Sequence, residues 1–176
     1  MLGMLALPVA SWAWAQPGWA AHSFWPGVGV SLAGLALRLW AAGWLRKNES
    51  LATDGPYSWV RHPLYAGTGL VALGQGLMSG VPVAALAFPL IWLSLYRPAM
   101  REEEAFLVDK YGDEYVAYRK RVPGLVPNLF ARRDKRVART DTPFSWAQAW
   151  RNREYEGILV NVVAFAVYGA LFFARF

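Results

Sequence analysis

Hydrophobic positions in this 176-residue chain fall in long unbroken runs, not in the alternating or one-faced patterns of a fold that meets water on one side. Met1 to Leu37 contains no Asp, Glu, Lys or Arg, and Gln16-Pro17-Gly18 and Trp25-Pro26-Gly27 interrupt it as turns do. Two membrane segments are therefore predicted. The first, Met1 to Ala15, is short for a hydrocarbon core about 30 Å thick, which takes about 20 helical residues. It reads as a retained, shallow or tilted segment: Ala13-Trp14-Ala15 resembles a cleavage site, but the basic start of a signal peptide is missing. The second, Val28 to Leu45, ends at Arg46-Lys47, which marks the cytoplasmic side. Leu64 to Tyr96 is another uncharged stretch, 33 residues long, too long for one span and enough for two short ones. Ser79-Gly80-Val81-Pro82 supplies the turn of that antiparallel hairpin, and Gly67, Gly69, Gly74, Gly76 and Gly80 offer small faces where helices approach closely. Ile158 to Ala174, a 17-residue apolar run containing Asn161, predicts the last span.

Most of the charge lies in Arg97 to Glu156, which Pro123, Pro127 and Pro143 divide into short helices and loops on the cytosolic side. Arg101 to Arg121 is predicted helical, with Tyr111, Tyr115, Tyr118 and Val122 on one face as a packing stripe. Arg132-Arg133-Asp134-Lys135-Arg136 and Arg139 form a basic linker suited to solvent or lipid headgroups. Thr142-Pro143 predicts the N-cap and first turn of a helix through Trp150. The expected organisation is N-terminal membrane helices in residues 1–50, a core with the hairpin in 51–130, a basic linker and short helix in 131–156, and a last membrane helix in 157–176. The fold class is all-α: an integral membrane helical bundle of about five transmembrane helices.

Composition agrees. The chain is 56% hydrophobic and 17% charged, against about 25% charged in a soluble domain, and its mean hydropathy is +0.21. Ten Trp, eight Tyr and nine Phe suit rings anchored at a bilayer boundary. With no cysteine, the sequence excludes disulfides, a thiolate nucleophile and Cys-based metal sites. Two histidines, His22 and His62, leave little for any other metal centre. The net charge of +6 sits between apolar runs, as membrane topology requires, so it argues against a nucleic-acid partner. Fourteen Arg against four Lys, with abundant Ala, suggest a GC-rich bacterial source and hence an inner-membrane location.

Two segments exceed what a membrane scaffold needs. Gly55-Pro56-Tyr57-Ser58-Trp59-Val60-Arg61-His62-Pro63-Leu64-Tyr65-Ala66-Gly67 places an Arg and a His immediately before an uncharged helix. Free N–H groups of the helix start, with cationic side chains beside them, make a site for an anionic group; as plain structure, Arg61 snorkels and Pro63 opens the helix. The second segment is Arg101-Glu102-Glu103-Glu104. Successive helical residues point about 100° apart, so the three carboxylates cannot share one solvent direction and at least one turns inward. As plain structure they complement the helix dipole; as chemistry, one or two bind a cationic ligand group. The hairpin between the segments returns both to the same membrane face.

These elements, in this order and with Tyr111-Gly112-Asp113-Glu114-Tyr115 running through Tyr118 to Arg121-Val122-Pro123, resemble the integral-membrane isoprenylcysteine carboxyl methyltransferases and their bacterial relatives, akin to phospholipid N-methyltransferases. The resemblance covers Thr53 to Pro127. It implies an enzyme using S-adenosylmethionine, with S-adenosylhomocysteine as product. The cofactor would be enclosed on the cytosolic side by the helical and loop segment, and a lipophilic acceptor, carboxylate or amine, would enter from the bilayer. Carried over residue by residue, the resemblance implies cofactor contacts at His62, Pro63, Tyr65, Gly67, Glu103, Glu104, Tyr115, Arg121 and Pro123, with Arg61 and Glu102 acting at the acceptor and no metal. A carboxylate acceptor needs a cation to orient it, for which Arg61 is suited, whereas an amine needs a base, for which Glu102 stands first. The segment after Pro127 has no counterpart in the pattern. Alternatives are an NADPH-dependent membrane reductase of the sterol-reductase type, for which the chain is short, and a non-catalytic membrane assembly protein of the same fold.

Overall fold

The computed structural model describes residues 14–127 and 143–174. Among them the chain is helical, without a strand: α1 (Pro17–Trp44), a 3-10 turn (Gly55–Ser58), α2 (Pro63–Met78), α3 (Ala84–Arg121), α4 (Trp146–Arg151) and α5 (Glu154–Phe173). The all-α expectation holds. Among the described residues two helices, α1 and α5, are long and apolar enough to cross a membrane, fewer than the five spans expected from sequence. The hairpin helix α2 has only 16 residues, and the long α3 carries its charge from Arg97 onward. The basic linker Arg132 to Arg139, Thr142 and nearly all of Met1 to Ala15 lie outside the described residues.

One unit contains the described residues up to Leu35, Thr68–Leu93 and those from Tyr155 onward. Here the sequence expectation for α1 needs correcting. Trp25-Pro26-Gly27 is not a turn: the helix runs through Pro26 from Pro17. Pro26 removes one backbone donor, a loss that packed neighbours in an apolar bundle accommodate. Gly27 explains what the dipeptide does, since a Cβ there would sit 2.7 Å from the Gly74 carbonyl and 2.8 Å from Met78 Cγ. The pair marks a close helix crossing. Ser23 donates to the Leu77 carbonyl at 2.8 Å, and Gln75 donates to Asn161 at 3.0 Å, tying α2 to α1 and to α5. Phe24, Met78 and Tyr168 form the apolar centre, with Phe24 stacked on Phe172. Leu86, Leu90 and Ile91 on α3, and Leu159, Val162 and Val163 on α5, remain exposed, a surface suited to lipid and not to water.

The second unit contains Ala36–Gly67 and the described residues of Ser94–Glu154. Its core is the predicted tyrosine stripe: Tyr115, Tyr118 and Val122 pack with Leu51, and Leu107 and Tyr111 lie against them. Gly112 makes this possible, with φ 53° and ψ −128°, a break inside α3 that few side-chain-bearing residues tolerate. The end of α1 leaves orphan carbonyls, which α4 covers. Gln148 donates to the Leu45 carbonyl at 2.9 Å, and Asn152 donates to Ala42 and Leu45 at 2.8 Å each. The cap of α4 is Ser145, whose side chain accepts from the Gln148 N–H, in place of the expected Thr142. Pro143 therefore precedes the helix, and the serine supplies the hydroxyl.

Candidate functional site

All the polar chemistry singled out from sequence lies in the second unit. Pro56 opens the 3-10 turn, and the buried Tyr57 presents its carbonyl to the Tyr118 hydroxyl at 2.7 Å. The chain then runs alongside the segment that follows α3: the Arg61 N–H donates to the Pro123 carbonyl at 2.8 Å and the His62 N–H to the Gly124 carbonyl at 3.0 Å. His62 starts α2, its carbonyl accepting from the Ala66 N–H at 2.9 Å, and Pro63 follows at the first helical position, where a missing donor costs nothing. Arg61 and His62 are thus gripped by backbone between two helix ends.

Their side chains converge on Glu104. Its Oε1 accepts from Arg61 Nη2 at 2.8 Å and from His62 Nε2 at 3.0 Å, and its Oε2 lies 3.6 Å from Arg119 Nε. Arg61 Nη1 also donates to the Arg119 carbonyl at 2.9 Å. His62 is 5% exposed. Its other nitrogen, Nδ1, stands 3.9 Å from Glu103, too far for a hydrogen bond. Glu103 instead accepts from the Tyr65 hydroxyl, and the Tyr65 ring lies edge-on to His62. Near the cluster Tyr115 is 1% exposed, and among the described residues its hydroxyl and Arg61 Nε have no hydrogen-bond partner.

The electrostatics follow from this packing. Burial opposes ionisation of Glu104, but the His62 hydrogen bond and the charges of Arg61, His62 and Arg119 outweigh it and hold the carboxyl below its ordinary value. Burial, with the Glu104 charge adding to it, pushes the Tyr115 phenol up to about 12, and burial raises Tyr118 and Tyr57 as well. These phenols stay neutral near pH 7 and act as hydrogen-bonding groups. The result is one ionised carboxylate shared by three cationic or polar side chains, near a buried hydroxyl without a partner among the described residues.

The structure gathers Arg61, His62, Tyr65, Glu103, Glu104, Tyr115 and the backbone of Pro123 in this network, with Pro63 and Gly67 buried in the first turns of α2. Two expected residues stand apart. Glu102 is exposed, as its helical phase relative to Glu104 dictates, and Arg121 is exposed on the last turn of α3. Arg119, not singled out from sequence, lies with its Nε 3.6 Å from Glu104. Its signal was available, because Arg119 follows Tyr115 by four residues and so shares its face. A second charged pair, Arg38 with Glu154, was not foreseen. No group of three or more potential metal ligands occurs among the described residues.

Residues 28–114 match a family described as phospholipid methyltransferase. The chain is similar to the protein-S-isoprenylcysteine O-methyltransferase of Schizosaccharomyces pombe, 42% identical over 81 residues that make up 46% of this chain and 34% of that protein. It is 36% identical over 122 residues to the cobalt-zinc-cadmium resistance protein CzcN of Cupriavidus metallidurans, covering 61% of this chain and 56% of that one. The human protein-S-isoprenylcysteine O-methyltransferase is 36% identical over 80 residues, 46% of this chain and 28% of that protein. The chain therefore aligns with between 28% and 56% of the length of these relatives. No solved structure matches it.

Proposed function

Because this chain belongs with the phospholipid methyltransferase family and its isoprenylcysteine O-methyltransferase relatives, we propose that it is a membrane methyltransferase that carries the methyl group of S-adenosylmethionine to a lipophilic acceptor. The observation that carries the proposal is the Glu104 network, with Arg61, His62 and Arg119 around one carboxylate and, near it, a Tyr115 hydroxyl unpartnered among the described residues. Buried polar atoms without partners call for a ligand or water. The residues present fit an amino-acid-bearing cofactor: Glu103 and Glu104 suit an ammonium, while Arg61, Arg119 and the N–H groups at the start of α2 suit a carboxylate. When bound, that cofactor supplies an electrophilic methyl group on a sulfonium.

The chain's own contribution is positioning and exclusion of water, since methyl transfer in line needs the acceptor held within about 3–3.5 Å and aligned. Arg61 is planar and fork-shaped and orients an acidic acceptor; Glu102, exposed beside the network, takes a proton from an amine acceptor. The assignment of His62, Pro63, Tyr65, Gly67, Glu103, Glu104, Tyr115, Arg121 and Pro123 to the cofactor, and of Arg61 and Glu102 to the acceptor, is part of this proposal. So are the crossing of the bilayer by both hairpin helices and a cytoplasmic position for the site, which the grouping of Arg and Lys supports. The test is equilibrium binding of S-adenosylmethionine and of NADPH to detergent-purified protein. Saturable binding of the first and none of the second is expected. Preference for NADPH would replace this reading with a reductase, and binding of neither would leave a non-catalytic membrane protein.

A further inference from the structure

Arg38 lies inside the apolar helix α1, where a guanidinium is costly against lipid and marks a function by default. Glu154, the first residue of α5 and 8% exposed, accepts from it in a fork: Nε to Oε2 at 3.1 Å, Nη2 to Oε1 at 3.0 Å and Nη2 to Oε2 at 2.8 Å. The third nitrogen, Nη1, reaches the carbonyl of Leu64 at 3.4 Å. Leu64 stands in the first turn of α2, two residues after His62, whose own carbonyl starts that helix. The charges of Glu154 and Arg38 are both felt at the Tyr57 phenol, on the 3-10 turn that leads into Arg61. The pair thus reaches both the start of α2 and the turn before it. Stability is a poor explanation for it, because a well-packed apolar pair in place of a buried ion pair is often as stable or more so.

We infer that Arg38, oriented by Glu154, is a positioning residue: it holds the first turn of α2 so that the His62 imidazole meets Glu104. The consequence for cofactor affinity rests on the function proposed above; the placement of His62 does not. The chain has two histidines, His22 and His62, so the protein labelled with 13C at histidine Cε1 gives two resonances, assigned with a His22→Asn variant. Arg38→Gln, Glu154→Gln and Arg38→Lys, which keeps the charge and loses the fork, should each move the His62 resonance and leave that of His22 in place. Affinity for S-adenosylmethionine should fall by about 10- to 100-fold, the range found when partners that orient a ligating histidine are removed. The apolar double variant Arg38→Met, Glu154→Met separates positioning from folding. It should recover the wild-type melting temperature while the His62 resonance stays displaced. An unmoved His62 resonance in the folded variants would overturn the inference, as would failure of the double variant to fold, which would assign the pair to folding. If wild-type protein binds no S-adenosylmethionine, the methyltransferase proposal fails on its own and the resonances still decide the role of Arg38.

Discussion

Glu104→Gln is the sharpest perturbation of the network, because one oxygen of its carboxylate serves both Arg61 and His62. Glutamine keeps that one accepting oxygen, so both contacts persist without charge, while its NH2 group replaces the oxygen that faces Arg119. A hydrogen bond to a charged group contributes roughly 1.5–3 kcal/mol and a neutral one roughly 0.5–1.5 kcal/mol. Each of the two contacts therefore loses about 1 kcal/mol. The Arg119 contact adds little, since that side chain is 53% exposed. The upper bound is about 3–5 kcal/mol for breaking a buried pair. Water reaching side chains that are 15% and 16% exposed recovers part of it. The expected cost is about 2 kcal/mol, or roughly 4–8 °C in melting temperature for a chain of this size. Thermal unfolding in detergent, followed through the ten tryptophans, measures it, with Glu102→Gln as the exposed control expected within about 0.5 kcal/mol of wild type. Equal melting temperatures for the two variants would refute the assignment of the inward-facing carboxylate to Glu104.

The remaining expectations use the same unfolding assay. Gly112→Ala forces a side chain into φ 53° and ψ −128° and should cost about 1–3 kcal/mol; an unchanged melting temperature would mean that the break in α3 is absent. Because Glu104 has its folded-state pKa lowered below the ordinary 4.5, its stabilisation is complete above about pH 4.5 and is lost as pH falls through the lowered value. Wild type should therefore lose stability in acid more steeply than Glu104→Gln, and parallel profiles would contradict the ion-pair geometry. Tyr118→Phe leaves the buried Tyr57 carbonyl without its donor and should cost about 1–3 kcal/mol. Tyr115→Phe removes a hydroxyl that has no partner, and should be neutral or stabilising in the absence of ligand while weakening the binding of S-adenosylmethionine.

What could be read in the sequence was local or periodic. The tyrosine stripe follows from a 3.6-residue repeat, and the hairpin turn from Ser79-Gly80-Val81-Pro82, where Gly80 does take φ 72°. That one of three adjacent carboxylates must face inward follows from helix geometry. Which one does so depends on the face that α3 packs before its break at Gly112, where Leu107 and Tyr111 lie against the core. Pro26 misled because a Pro-Gly pair is a turn signal only when no second helix presses against it; the Gly27–Gly74 crossing joins positions far apart in the chain. The pairing of Arg38 with Glu154 is invisible in the sequence, since the two lie 116 residues apart and no short-range pattern links them. The α4 cap moved by three residues because Thr142 and Ser145 are both competent hydroxyls, and the carbonyl of Gly43, which accepts from the Ser145 N–H at 3.1 Å, decides between them.

The two tyrosines on the same face of α3 carry the argument about function further than the ion pairs do. Tyr118 and Tyr115 are both buried, at 4% and 1% exposure, and phenylalanine would fill either space. Tyr118 has a structural reason for its hydroxyl in the Tyr57 carbonyl. Tyr115 has none among the described residues, where its hydroxyl carries an uncompensated desolvation cost of about 1–3 kcal/mol. It does so near Glu104 and Arg61, where a second polar atom, Arg61 Nε, is also without a partner among the described residues. Packing explains one phenol and not the other, and an ion-pair cluster built only for stability would gain from closing both deficits with apolar groups. A polar ligand closes them together. The contrast between Tyr118→Phe and Tyr115→Phe therefore isolates the ligand from the scaffold: two opposite signs on stability, with a loss of cofactor binding at Tyr115, would follow from a built binding site, whereas equal destabilisation would mean that both hydroxyls serve the fold.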